Sequence, residues 1–355
     1  MTQQHTTMGK SLASLLANKW LPSDVGDVAV SGMCLDHRQL APGDMFVAVA
    51  GTRNDGRRFV NDAIAAGAAA VLKTAEQDDE KILWRGAVPV IPCVSLEQDV
   101  SAIAGRFYAS PSHALNVVGV TGTNGKSTCT HLLAQLYSAL GKSAAVVGTL
   151  GYGMVARAPS VTKGLIATGL TTADPIANQR ILAELRDSGA DTVAMEVSSH
   201  SLEQYRVAGI TFDAALFTNL THDHLDYHGD MAQYGLAKKK LLVHPGLRYR
   251  VINLDDSYGR QLVVEFARSR EKTKTLTYSL SDKGADLYLE NVEHLTTGVR
   301  ARINTPWGAG SLSSVLLGDF NLSNLLGVIA ISCAQGKDLT AVLQVVATLQ
   351  PVAGR

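Results

Sequence analysis

The chain has 355 residues, with 32 Lys plus Arg against 32 Asp plus Glu and 46% hydrophobic residues. That length predicts two or three domains with real cores, and the zero net charge argues against a nucleic-acid partner, whose footprint is a basic excess. Cys34, Cys93, Cys129 and Cys333 stand singly with no CxxC pair, which excludes a zinc knuckle or disulfide framework and fits a reducing cytoplasm.

In chain order, SLASLLANKW places Leu12, Leu15, Leu16 and Trp20 on one helical face, with no apolar core of signal-peptide length around it. VAVSGMCLDHR and DMFVAVAG read as strands separated by the turn APGD. RRFVNDAIAAGAAAVL predicts a helix that runs through Gly67 into a strand. VPVIPCV is a further strand, and LEQDVSAIAGRFYA is a helix stopping at Ser110-Pro111. A small α/β domain over 1–113 is therefore expected.

From Leu115 the texture changes. Buried-strand runs AAVVGTL, TVAMEV, DAALFTNL and YRVINLDD alternate with helices, the mark of a parallel sheet covered on both faces. Beyond about residue 275, TLTYSL, ADLYLENVE, VRARINT and GSLSSVLL read as antiparallel strands added to its edge. NLSNLLGVIAISCAQG and DLTAVLQVVATL are helices; apolar runs such as LLGVIAISCA are too short to cross a bilayer, so no membrane insertion is expected. The fold class expected is α/β, with the small N-terminal domain followed over 114–350 by a P-loop-type, mostly parallel-sheet ATPase domain carrying an antiparallel extension.

The chemistry gathers at VVGVTGTNGKSTCTHLL. NVVGV is a β-branched run feeding a glycine turn, and a helical pattern follows, the setting in which backbone N–H groups and the helix dipole receive phosphate. The general pattern places a glycine five residues before Gly125, where this chain has Val120; its early glycine is Gly122. Lys126 is positioned for the terminal phosphates and the Ser127 hydroxyl for Mg²⁺.

The compressed form TGTNGKST resembles the nucleotide loop of the Mur ligase family, which also contains the folylpolyglutamate synthetases. MEVSSHSLEQYRV, FTNLTHDHLDYHGDMAQYGLAKKKLL, VINLDD and LGDFNLSNLLG resemble further motifs of that family, in its order. LDHRQLAPGDMFVAVAGTRNDGRRFV resembles the uridine-binding domain of the branch that adds the third residue of the peptidoglycan stem. The resemblance implies ATP-dependent amide formation on UDP-MurNAc-L-Ala-D-Glu through an acyl phosphate, in the cytoplasm, by a monomer. Diaminopimelate is the amine implied by the family, and ATP and Mg²⁺ the cofactors.

Residue by residue, the resemblance implies ATP binding by Gly122, Thr123, Asn124, Gly125, Lys126, Ser127 and Thr128. Asn321 and Asn324 are suited to an adenine edge or to capping a helix. Glu196, at a strand end where ligands gather in open sheets, is expected to hold Mg²⁺ with Ser127 and His224. Of the three histidines in THDHLDYH, His222 and His228 read as polar loop residues, because spacings of two and four in a loop impose no zinc geometry. Lys238 matches the family lysine that CO₂ carbamylates, and Lys239 and Lys240 read as a solvated face. Thr171, Thr172, Ser198, Gln204 and Arg206 are implied for the muramoyl-peptide, and Leu35, His37, Thr52, Arg53 and Asn54 for uridine; Asp255 is placed toward the ribose.

The chain departs from the family at His37, where a serine is usual, and at the TRN of 52–54. Family members continue past QPVAGR into a third domain that holds the amine, so a truncated chain, inactive alone in amide formation, is the expectation. Other readings of the same motifs are a folylpolyglutamate synthetase-like ligase, whose kind begins at the phosphate loop, and a non-catalytic nucleotide- or UDP-sugar-binding module.

Overall fold

The computed structural model describes residues 9–17, 21–51, 55–77, 81–155 and 164–352. Two compact units make up the chain: one of 1–111 with 174–180 and 204–210, the other of 112–173, 181–203 and 211–355. The first unit thus recruits two segments from beyond the loop motif, which no local pattern in the sequence marks.

The first unit is built on a five-stranded sheet in the order Met33–Cys34, Met45–Ala48, Ala70–Ala75, Val88–Val94, Leu83–Arg85. Its first four strands are parallel and the last closes an antiparallel hairpin. Both faces are buried, and the strand period of two divides them. Met45 and Val47 pack with Leu72, Ile91 and the helix Leu96–Phe107, whereas Phe46 and Ala48 pack with Ala63 and Val71. The long first helix expected from SLASLLANKW is a single turn, Leu12–Leu15, and Trp20 lies outside the described residues. Likewise RRFVNDAIAAGAAAVL begins as a 3-10 turn, Gly56–Phe59, before the helix Val60–Ala65.

In the second unit, ten strands form one sheet. Their order is Gly151–Met154, Ala144–Gly148, Thr192–Glu196, Asn116–Thr121, Ala214–Phe217, Tyr249–Asn253, Lys274–Ser279, Leu287–Leu295, Gly298–Thr305 and Gly308–Ser314. The strand Asn116–Thr121 lies mid-sheet, with Thr192–Glu196 on one side and Ala214–Phe217 on the other, both parallel to it. The chain therefore reverses its direction of winding here, which opens a crevice at the strand C-termini. The helices Lys126–Ala139 and Asp319–Ala334 pack on the sheet through Leu132, Leu133, Leu136, Leu325 and Ile329, all wholly buried.

The extension differs from expectation at its start. Lys274–Ser279 pairs parallel with Tyr249–Asn253, because the helix Ser257–Ala267 carries the chain back over the sheet before it re-enters. Only Leu287–Leu295, Gly298–Thr305 and Gly308–Ser314 alternate in direction.

Candidate active site

The site grows from the turn after Thr121. Gly122 has φ +152° and a Cβ there would strike the Thr218 hydroxyl; Gly125 has φ +86° and a Cβ there would lie 2.5 Å from Asn324 Oδ1. Both positions combine a backbone shape that side chains resist with no room for one. The helix then starts at Lys126, whose ammonium donates to Gly122 O and Thr123 O, both at 2.8 Å. Ser127 is its second residue and is buried.

A neighbouring strand end holds the loop in shape. Asn219 Oδ1 accepts from the Asn124 N–H at 2.9 Å and Asn219 Nδ2 donates to Asn124 O at 3.2 Å. The Thr218 hydroxyl donates to Asn124 O at 2.6 Å, and Thr123 N–H donates to Asn219 O at 2.9 Å. Thr123 Oγ1 accepts from the Thr221 N–H at 3.0 Å. Sequence reasoning missed these holders, Thr218, Asn219 and Thr221; their polar run at a strand end was the available signal.

Across the crevice, Glu196 is 1% exposed at the end of its strand, in register with Val120. A buried carboxylate is costly unless hydrogen-bonded, and Thr149 meets that need twice: its N–H and its hydroxyl each donate to Glu196 at 3.0 Å. A hollow of about 360 Å³ brings together Thr123–Thr128, Thr149, Thr171, Glu196 and Phe320. Phe320, 69% exposed at the start of helix Asp319–Ala334, and Thr149 are further residues the sequence reading passed over.

His224 and Lys238 are not in that lining. His224 has a left-handed backbone (φ 53°) and opens the short helix Leu225–His228, where a loop was expected; its Nε2 is 3.5 Å from the Asp223 carboxylate. Its ring meets those of His200 at 4.9 Å and Tyr234 at 6.1 Å. His228, read as a loop residue, bonds Ser199 Oγ at 2.9 Å, and burial lowers its pKa. Lys238 projects from helix Met231–Leu242, 1% exposed, with its ammonium 4.2 Å from the centre of the Tyr234 ring. Burial and the nearby Lys126 charge bring its pKa down to about 6. Its neighbours Lys239 and Lys240 do not form a free solvated face: they pair with Glu265 and Glu203.

The remaining expected residues divide. The Thr171 hydroxyl lies 3.1 Å from that of Thr149, whose proton goes to Glu196, and lines the hollow. Thr172 is 1% exposed and donates to Glu196 O at 3.0 Å, so it ties the strand end together behind the surface. Ser198 Oγ accepts from the Ser201 N–H at 3.2 Å. Asn324 is buried, its Oδ1 accepting from Cys129 and lying against Gly125, so it is not placed as a free amide edge, and Asn321, half-buried, donates to Leu317 O at 2.8 Å. Asp255 is exposed and accepts from Ser279 Oγ and from Leu280 N–H, one bond on each carboxylate oxygen.

In the first unit, Leu35 and His37 line a hollow of about 480 Å³ with Arg38, Val47, Val49 and Phe59. The His37 ring stacks on Phe59 with centroids 4.4 Å apart and planes 13° off parallel. Gln204 accepts both Nε and Nη2 of Arg206, at 3.0 and 2.6 Å. Thr52, Arg53 and Asn54 lie outside the described residues. Among the described residues, no group of three His, Cys, Asp or Glu side chains forms a ready metal cage. No helix there is long and apolar enough to cross a membrane.

A glycine-shaped phosphate loop at the switch point of a parallel sheet, facing a buried carboxylate, defines a nucleotide-handling α/β protein. The chain belongs to the Mur ligase family: residues 120–332 match the Mur ligase middle domain, and residues 29–108 match the Mur ligase family, catalytic domain. It is 47% identical over 346 residues to UDP-N-acetylmuramoyl-L-alanyl-D-glutamate--2,6-diaminopimelate ligase of Ectopseudomonas mendocina, covering 95% of this chain and 67% of that protein. The Pseudomonas aeruginosa enzyme of the same name is 46% identical, with the same two coverages. A solved structure of a UDP-N-acetylmuramoyl-L-alanyl-D-glutamate--2,6-diaminopimelate ligase superposes with a TM-score of 0.83 at 29% identity, covering 98% of this chain and 68% of that one.

Proposed function

We propose that this chain carries the ATP-dependent step of a peptidoglycan-precursor ligase that extends UDP-MurNAc-L-Ala-D-Glu by an amino acid, diaminopimelate by analogy with its relatives. The observation that carries the reading is the meeting of the loop 123–128 with Glu196 in one hollow. A carboxylate is a poor electrophile at neutral pH. Transfer of the γ-phosphoryl of ATP to the glutamyl carboxylate, with ADP leaving, makes phosphate the later leaving group when the amine attacks.

Two anions must approach each other for that transfer, so fixed positive charge and N–H groups are needed where they meet. The N–H groups at the helix start, 125–127, and the Lys126 ammonium would supply both, while Thr218 and Asn219 fix the loop by bonding Thr123 and Asn124. Phe320 offers a flat apolar ring to the base, in place of the amide edge of Asn324. The oxygen donors that share the hollow, the Ser127 hydroxyl and the Glu196 carboxylate, fit a hard divalent cation and would hold Mg²⁺; His224, the further ligand the family implies, stands outside that lining. When bound, the cation neutralises phosphate charge.

Lys238 is the residue for carbamylation. Its burial and its low pKa would leave a neutral amine whose nitrogen adds to CO₂ at neutral pH and releases a proton to solvent, giving a carboxylate-like carbamate anion. The hollow around Leu35 and His37 is the proposed seat of uridine.

A folylpolyglutamate synthetase reading is disfavoured by the complete five-stranded sheet that precedes the phosphate loop. Calorimetric titration separates the two. UDP-MurNAc-L-Ala-D-Glu should bind saturably and folate not at all; the reverse would overturn the assignment.

A further inference from the structure

The motif VINLDD ends a strand two places along the sheet from Asn116–Thr121, and its polar side chains are bonded to the segment that grips the phosphate loop. Asn253, 6% exposed, donates from Nδ2 to Thr218 O at 2.8 Å and accepts at Oδ1 from the Asp255 N–H at 2.9 Å. Half-buried Asp256 uses both of its carboxylate oxygens. Oδ1 accepts from the Tyr258 and Gly259 N–H groups, each at 3.0 Å, which caps the helix Ser257–Ala267. Oδ2 accepts from the Leu220 N–H at 2.8 Å. Gly259 permits the tight turn between strand and helix, because a Cβ there would stand 2.0 Å from Asn253 O.

Capping needs only one oxygen. Asparagine and serine serve at an N-cap about as well as aspartate, and what aspartate adds is a second acceptor beside the first. That second oxygen meets a main-chain N–H with no other partner among the described residues. Leu220 lies between Asn219 and Thr221, which hold Asn124 and Thr123. Residues 218–221 therefore act as a splint, fastened by Asn253 and Asp256 and bearing on the loop.

We propose that Asp256 is a positioning residue: through Leu220 it fixes the splint and so pre-shapes the phosphate loop, without touching the nucleotide. This rests on the ATP-site reading above. A loop already ordered loses less freedom on binding, so loosening it weakens every phosphate ligand alike. A ribose contact would weaken only ligands that carry the sugar.

The test is isothermal titration of the 355-residue chain with ATP and with inorganic triphosphate, each with Mg²⁺, beside thermal melting. Asp256→Asn keeps the cap but turns an amide donor toward the Leu220 N–H; Asp256→Ser keeps the cap and falls short of Leu220. In both, ATP and triphosphate should weaken together by about three- to tenfold, the worth of one hydrogen bond. Asp338→Ala uncaps the helix Leu339–Val346 and should lower the melting temperature with both affinities unchanged. In an Asn219→Ala background, where Asn124 is already loosened, Asp256→Asn should cost less affinity than it does alone.

Affinities within about twofold of the parent for both ligands, in both Asp256 variants, would overturn the positioning role and leave the ATP site standing. A loss confined to ATP would overturn it too, by making Asp256 a ribose contact, as would full additivity with Asn219→Ala. A parent chain that binds neither ligand would overturn the ATP-site reading, and this inference with it.

Discussion

Gly148 and Glu196 are so close that only glycine fits: a Cβ at position 148 would stand 2.6 Å from the Glu196 carboxyl carbon. The carboxylate is gripped from the next residue by Thr149, N–H and hydroxyl together. Gly148→Ala should therefore push Glu196 off its position. Overpacking of this kind costs about 1–3 kcal/mol in stability. The sharper effect falls on the cation site: the gain in ATP affinity on adding Mg²⁺ should drop at least tenfold, measured by titration with and without EDTA. An unchanged Mg²⁺ effect in a folded variant would remove Glu196 from the cation's ligands.

Lys238 makes the fold pH-dependent in a defined direction. Its pKa is about 6 in the folded chain and about 10.4 when unfolded. Between those values the unfolded state holds the extra proton, so stability rises with pH, and the penalty is full at pH 6 and below. Lys238→Met replaces the buried cation with an apolar chain of similar length. It should stabilise the protein by roughly 1–4 kcal/mol at pH 6 and by progressively less toward pH 10. A melting-temperature gain that grows with pH would contradict the assigned burial.

Carbamylation has a direct signature. With ¹³C-bicarbonate, the parent chain should show a carbamate carbon resonance that Lys238→Met lacks. Its absence from the parent at saturating bicarbonate would sink the modification.

Phe320 is an apolar ring left in solvent beside the phosphate loop. Stacking of a base on an aromatic ring is worth about 1–3 kcal/mol, so Phe320→Ala should weaken ATP roughly five- to 150-fold. Inorganic triphosphate, which has no base, should compete equally well against both proteins. Equal losses for ATP and triphosphate would show that Phe320 shapes the loop instead.

Much of this was legible in the chain itself. The run NVVGV, the glycine turn and the helical spacing after Lys126 are consecutive residues, and each obeys a local rule of strand, turn or helix start. Hydrophobic runs of strand length separated by helices were enough to give a parallel sheet. Local reading failed where a residue could satisfy two roles. Asn324 looked like an amide for adenine, yet the helix turns it inward against Gly125. TLTYSL looked antiparallel by its alternation, yet a helical crossover made it parallel.

What the sequence by itself determined is thus the set of elements, their order and the chemical groups at their ends, because propensity, periodicity and glycine turns act over a few residues. Only the tertiary structure decided which groups face one another. Asn219 grips Asn124 across 95 residues of chain, Thr149 clamps Glu196, and Asp256 holds Leu220 across 36 residues. Those contacts depend on strand register and on burial, which exist only once the sheet has closed and water has left.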